Sequence, residues 1–278
     1  MTDGLSLFTT IRCDQELLRA NDETSLDIGW NQIPSPFYML DLHRDRMLKG
    51  AVHWGWDAAI RTLDGEDGLK TLEAFLRENV TDAVDMPCAA KILLDKDGIL
   101  SVVKRPTGPV HLSNLFPAYL PAPSGQVTQN PLGVGRSPER NFDYEIRVDG
   151  QTTIKSEFTH FKTTHRPMYD EARSRAGINS PADKIEVLLV NKNDGSVMEG
   201  SITTPYFWRN GRWVTPPVAR EFNADQGSGG NNGTSRRWAL ERNLVVEDIV
   251  YADSLVDGEE CWMSNGVRGF IHGKIKLI

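Results

Sequence analysis

Phe161-Lys162-Thr163-Thr164-His165-Arg166 decides the reading, together with Asp194-Gly195-Ser196-Val197-Met198-Glu199 and Gly233-Thr234-Ser235-Arg236 downstream. The first stretch puts an amine beside a β-rich run and just ahead of a helix that starts at Pro167. The second puts a carboxylate on the returning strand of a hairpin, followed by Gly200-Ser201, where the absence of a side chain lets a ligand approach the backbone. The third opens a helix with hydroxyls, after the Gly/Asn-rich run Gln226–Gly233. Helix-start N–H groups and hydroxyls bind phosphate.

Taken singly, each signal is ordinary. A strand-end lysine is most often a solvated surface residue, because an activated lysine needs desolvation or a charged partner. A strand carboxylate is most often exposed or ion-paired. The glycine run is neither a P-loop, since no lysine follows its last glycine, nor a GxGxxG fingerprint. Arg46 falls in the first turns of a helix, where arginines are usually surface residues, although its fork also matches a phosphate. His43, Asp45 and His53 lie near it without an HExxH pattern and read as structural or surface residues. No metal site is expected.

Working outward, Leu5 to Ile11 reads as a strand. Leu42 to Ile60 carries a helical stripe, with Asp41 as its N-cap, and Leu69 to Asn79 is a second helix. Lys91–Leu94 and Ile99–Val103 flank an Asp97-Gly98 turn and form a hairpin. The second half reads as strands Tyr144–Val148 and Thr152–Lys155, a helix over Pro167–Ala176 and a hairpin of Ile185–Val190 with Ser196–Glu199. A further hairpin joins Pro205–Trp208 to Arg212–Val214, followed by a helix over Ser235–Asn243 and a core strand at Glu260–Met263. Between Phe116 and Pro138, prolines and glycines interrupt any apolar periodicity. The expected division is therefore an α/β domain over 1–116, a connection over 117–138 and a domain over 139–278. One long surface loop is the alternative for 117–138.

The chain has 278 residues, and its 31 basic against 38 acidic side chains give a net charge of −7, which disfavours a nucleic-acid partner. Cys13, Cys88 and Cys261 are widely spaced and form no CxxC pair, so zinc and redox motifs have no support. The N-terminus lacks a basic region followed by an apolar core, and no apolar run is long enough to span a membrane. A cytoplasmic protein with a small-molecule substrate is expected.

Pyridoxal phosphate would use all three signals: an amine for its aldehyde, an anion for its ring nitrogen and an anion-binding turn for its phosphate. In order and local sequence the chain resembles the class IV, or fold type IV, pyridoxal-phosphate enzymes. The resemblance rests on Phe8-Thr9-Thr10, His43-Arg44-Asp45-Arg46, Lys162, Asp194–Glu199, Gly233-Thr234-Ser235-Arg236 and Ser264-Asn265-Gly266. It implies a two-domain α/β fold, with a smaller N-terminal domain, a β-rich C-terminal domain and the cofactor between them. It further implies Lys162 as the Schiff-base lysine and Glu199 as the partner of the ring nitrogen. Arg46, Gly233, Thr234 and Ser235 would hold the phosphate, with Asn265 and Gly266 near it. A homodimer is expected by the same analogy.

Within the family the sequence resembles the lyase branch, in particular its fungal members, which cleave 4-amino-4-deoxychorismate to p-aminobenzoate and pyruvate on the way to folate. Aminotransferases usually carry a tyrosine five residues after the lysine, where this chain has Pro167, while Arg166 matches the lyase pattern. Thr10, Arg166 and Arg268 are then candidates for gripping the substrate carboxylates, and Lys162 for general base and acid. A class IV aminotransferase for branched-chain amino acids, D-amino acids or amines is the alternative reading, and a non-catalytic pyridoxal-phosphate-binding homologue is a third.

Overall fold

The computed structural model describes residues 4–20, 35–80, 86–126, 137–140, 144–180 and 182–277. Their contacts group into two compact units, one of Met1–Leu112 with Phe161–His165 and one of Ser113–His160 with Arg166–Ile278. This departs from a division into sequence-contiguous domains. Residues 113–126 group with the second unit, and the lysine-bearing Phe161–His165 groups with the first. Most of the expected connection, 127–136, lies outside the described residues.

In the first unit, β1 (Leu7–Cys13), β2 (Cys88–Leu94) and β3 (Leu100–Pro106) form an antiparallel sheet in that order. The β2–β3 hairpin turns at Asp95–Ile99, where Gly98 takes φ 80°, a conformation that costs glycine little. Every residue of β1 except Thr10 is buried, so the strand is covered on both faces, and α1 (Leu40–His53) packs on it. The core gathers Leu7, Ile11, Met47, Leu63, Leu72, Leu76, Ile92 and Leu94.

The single helix expected over Leu42–Ile60 is two helices, α1 and α2 (Asp57–Leu63), followed by α3 (Gly65–Asn79). The break falls at Gly55, whose φ of 62° ends the run as left-handed glycines commonly do. Trp54 and Trp56 flank it, with ring centroids 5.7 Å apart. Asp41 is not the N-cap: Met39 is, in a left-handed conformation, and Asp41 sits in the first turn, where its charge interacts favourably with the positive end of the helix dipole.

Phe161–His165 joins this unit as an added strand edge. Phe8 N donates to Lys162 O at 3.0 Å and Thr164 N to Ser6 O at 2.9 Å, with Leu7 opposite Thr163. Ser6 N also donates to Thr164 Oγ1 at 3.0 Å. The position of Lys162 is thus set by backbone pairing to the first strand.

The second unit is built on an eight-stranded mixed sheet. Its strands are β4 (Tyr144–Thr153), β5 (Ile185–Asn191), β6 (Val197–Gly200), β7 (Thr204–Arg209), β8 (Arg212–Thr215), β9 (Val246–Glu247), β10 (Glu260–Asn265) and β11 (Gly269–Lys276), in the order β6-β5-β4-β11-β10-β7-β8-β9. The neighbours β5/β4, β4/β11 and β8/β9 run parallel. The two strands expected over 144–155 are one, with its register interrupted between Val148 and Thr152.

β5 is apolar along its length because both its faces are covered. Leu188 enters a core with Ile146, Val197, Phe207, Val214, Met263 and Ile275. Val187 and Leu189 pack instead with Met198 and with Tyr169 and Ala172 of the helix over Pro167–Arg175. Short helices at Leu112–Leu115 (α4) and Glu157–His160 (α5) precede that helix, α6, and α7 (Thr234–Glu241) follows. No helix among the described residues is long and apolar enough to cross a membrane.

The β10–β11 turn is closed by Asn265 Oδ1, which accepts from Val267 N at 3.0 Å and Arg268 N at 2.8 Å. Gly269 ends it with φ 64°, and a Cβ there would lie 2.3 Å from Asn114 O. Gly269→Ala therefore adds left-handed strain to a clash with backbone, and we expect it to lower unfolding free energy by about 2 kcal/mol or more in denaturant melts.

Candidate functional site

The candidate residues fall into two sets, one in each unit. In the first unit, β1 carries Thr9 toward α1. Arg46 Nη2 donates to Thr9 Oγ1, and Thr9 Oγ1 lies 2.5 Å from His43 Nδ1. When His43 is neutral with its proton on Nε2, Thr9 Oγ1 accepts from Arg46 and donates to His43 Nδ1. The electrostatics agree: complete burial holds the His43 pKa well below its ordinary value, and the Arg46 and Lys162 cations lower it further. His43 Nε2 is buried and makes no hydrogen bond.

Thr10 and Phe8 lie on the face of β1 opposite to Thr9, by strand alternation. The Lys162 ammonium stands 4.8 Å from the centre of the Phe8 ring and that of Lys91 stands 4.5 Å from it. Lys162 itself is half-buried. This unit therefore places Lys162 and Lys91 at the Phe8 ring and Arg46 at Thr9.

In the second unit, Glu199 on β6 is nearly buried, and its Oε1 accepts from Tyr169 Oη of α6 at 2.5 Å. Burial first, and the Glu199 charge second, push the Tyr169 pKa well above its ordinary value, so the phenol keeps its proton and donates it. The glycine run lies directly on this strand: a Cβ at Gly230 would come 2.6 Å from Met198 O and 3.1 Å from Glu199 Cβ. The structure thus brings Glu199 and the Gly-rich turn together.

That turn leads into α7 at Gly233, which caps the helix without a side chain. Thr234 Oγ1 is buried and makes no hydrogen bond, at a helix end whose first N–H groups have no intrahelical acceptor. Ser235 Oγ lies 2.8 Å from Ser264 Oγ, which lies 2.6 Å from Tyr206 Oη. Asn265 and Gly266 follow Ser264 into the β10–β11 turn, so α7 and the end of β10 are linked through hydroxyls.

Arg236 belongs to the scaffold. It donates to Pro216 O at 2.9 Å and Asn232 Oδ1 at 3.1 Å, and pairs with Glu247. Arg166 donates to Asp170 Oδ1 at 3.0 Å and Ser201 O at 3.3 Å, and its guanidinium lies 5.0 Å from the Tyr169 ring centre. Arg268 donates to Tyr144 Oη at 2.8 Å. Both arginines are thus held by neighbours in this structure. No group of three or more His, Cys, Asp or Glu side chains among the described residues is placed to hold a metal.

Sequence reasoning passed over Tyr169, assigned no role to Ser264 and left His43 among structural or surface residues; the structure buries His43 in the Arg46–Thr9 chain. A signal existed for Tyr169, which sits at the third position of α6, one helical turn from Arg166. Its contact to Glu199 spans 30 residues of chain and is invisible to local patterns.

The chain belongs to the amino-transferase class IV family, whose model matches residues 33–274; that family depends on pyridoxal phosphate. It is 33% identical over 153 residues to the aminodeoxychorismate lyase of Saccharomyces cerevisiae, covering 50% of this chain and 38% of that one. It is 30% identical over 135 residues to a candidate aminodeoxychorismate lyase of Schizosaccharomyces pombe, covering 47% and 54%. The match thus spans about half or less of each of these relatives. Among solved structures, a candidate amino-acid aminotransferase from Mesorhizobium loti superposes with a TM-score of 0.61 at 20% identity over 99% of this chain and 100% of that one. This likeness establishes the shared fold.

A neutral buried imidazole makes stability depend on pH with a definite sign. Unfolded His43 takes a proton near pH 6.5 and the folded one does not, so stability falls as pH drops below about 6.5. Buried His272, lowered to about 4, adds the same sign. We expect each to contribute a slope approaching about 1.4 kcal/mol per pH unit. His43→Gln should flatten the dependence measured in denaturant melts between about pH 7 and 5.

Proposed function

We propose that this chain is a pyridoxal-phosphate-dependent lyase that cleaves 4-amino-4-deoxychorismate into p-aminobenzoate and pyruvate. The observation that carries the reading lies in the second unit: a nearly buried carboxylate on β6 over which a glycine turn runs into a helix start with an unbonded buried hydroxyl. The likeness to the Saccharomyces cerevisiae lyase supports this reaction.

The residues fit the cofactor. Thr234 Oγ1 is a buried hydroxyl with no hydrogen bond at a helix N-terminus, a position suited to a phosphate oxygen. Gly230 keeps the backbone beside Glu199 clear of side chains. Lys162 would hold the aldehyde carbon, Glu199 the ring nitrogen, and Arg46, Gly233, Thr234 and Ser235 the phosphate, with Asn265 and Gly266 near it. When bound, pyridoxal phosphate supplies an aldehyde for the substrate amine and a conjugated ring that takes up electrons.

The side chains then do the following. Glu199, held by the Tyr169 hydrogen bond, would face the ring nitrogen and favour a proton there. Lys162 Nζ removes the proton from the substrate carbon that bears the amine. The carbon–oxygen bond to the enolpyruvyl group breaks, the ring aromatises, and Lys162 returns a proton to the departing fragment as pyruvate. Thr10, Arg166 and Arg268 would bind the two substrate carboxylates, the arginines exchanging present partners for them. Family analogy supports a homodimer, and the charge and cysteine pattern support a cytoplasmic location.

A class IV aminotransferase is the second reading, favoured by the superposition on the Mesorhizobium loti chain over its whole length. The two readings separate on one assay. Incubation with 4-amino-4-deoxychorismate and no amino acceptor should release pyruvate and p-aminobenzoate in equal amounts. Amino transfer to a keto acid with no pyruvate release would instead establish the aminotransferase.

Lys162→Ala should reduce turnover by about a thousandfold or more with the melting curve unchanged, since the group that moves both protons is lost. Thr234→Val, which keeps the shape and removes the hydroxyl, should weaken cofactor affinity about tenfold in equilibrium dialysis.

A further inference from the structure

We propose that Tyr169 is a positioning residue for the cofactor ring, acting through Glu199: its phenol holds one carboxylate oxygen and so fixes the orientation of the carboxylate that would face the ring nitrogen. The inference rests on the reading of Glu199 given above.

Four observations carry it. Tyr169 Oη donates to Glu199 Oε1 at 2.5 Å, the range of a charge-assisted O–H···O⁻ bond. The alternative acceptor, Thr159 O, lies 3.4 Å away, so the single phenolic proton goes to the carboxylate. Tyr169 is buried against Val187, Leu189 and Met198 and has little room to turn away. The loop at Gly230 closes over Glu199 Cβ and fixes the strand from above.

The consequence is chemical. A nearly buried carboxylate tends to take up a proton, and a neutral acid cannot pair with a protonated ring nitrogen. A hydrogen bond donated to the ionised form opposes that tendency. Tyr169 touches neither substrate nor reacting atoms in this account.

The test compares pyridoxal phosphate with 1-deazapyridoxal phosphate, which has a carbon in place of the ring nitrogen and cannot be protonated there. Dissociation constants of both, read by quenching of tryptophan fluorescence, give a preference ratio that a merely structural role would not move. Wild-type protein should prefer the natural cofactor. In Tyr169→Phe, which keeps the ring and removes only the hydroxyl, the preference should shrink about tenfold, the effect of one hydrogen bond to a charged group. In a Glu199→Gln background, Tyr169→Phe should change the ratio no further. A ratio unchanged in Tyr169→Phe, with both affinities falling together, would overturn the inference and leave the function intact. Wild-type protein that binds neither compound would overturn the functional reading and this inference with it.

Discussion

The candidate site depends first on a short piece of β pairing. The chain leaves the second unit after His160, adds five residues to the edge of β1, and returns at Arg166. Two backbone hydrogen bonds, Phe8 N to Lys162 O and Thr164 N to Ser6 O, hold that excursion. Each contributes only about 1 kcal/mol net, yet together they fix the register. A slip of one residue would turn the Lys162 side chain to the other face of the sheet. The Phe8 ring then sits under the ammonium, and β1 is itself anchored by α1 and the buried apolar core. A reactive amine needs this rigidity because proton transfer tolerates little displacement.

Each unit has its own electrostatic character. In the first, Lys162 and Lys91 stand at the Phe8 ring and Arg46 at Thr9, where the neutral His43 adds no charge of its own. The Arg46–Thr9–His43 chain orients the guanidinium through a hydroxyl, which is how a neutral imidazole can order a cation without repelling it. In the second unit, Glu199 supplies the anion, and the turn into α7 supplies hydroxyls and helix-start amides. Tyr169 keeps its proton because burial and Glu199 both oppose ionisation. Neutral groups thus hydrogen-bond charged ones in both units.

Much of this was legible in the sequence where the signal is local. The Asp97-Gly98 and Asn210-Gly211 hairpins, the α6 start at Pro167 and the glycine-led start of α7 follow from turn chemistry and capping preferences acting over a few residues. The mixed α/β class followed from the same elements, and the family from the order of the motifs. What escaped was set by distant partners or by a single backbone angle. Gly55 splits an uninterrupted helical stripe because its left-handed φ outweighs periodicity. β11 was missed because Gly269-Phe270-Ile271-His272-Gly273 carries two glycines, and the strand is held by neighbours on both edges. Tyr169 and His43 acquire meaning only from contacts 30 and 34 residues away in the chain.

The account stands or falls on Lys162 as the residue that carries the cofactor. The most direct measurement is borohydride reduction of the purified protein after incubation with pyridoxal phosphate, followed by peptide mass mapping. The account predicts a visible absorbance that reduction abolishes, and one phosphopyridoxyl adduct on the peptide containing Phe161-Lys162-Thr163. An adduct confined to other lysines, Lys91 among them, or no adduct at saturating cofactor would contradict it.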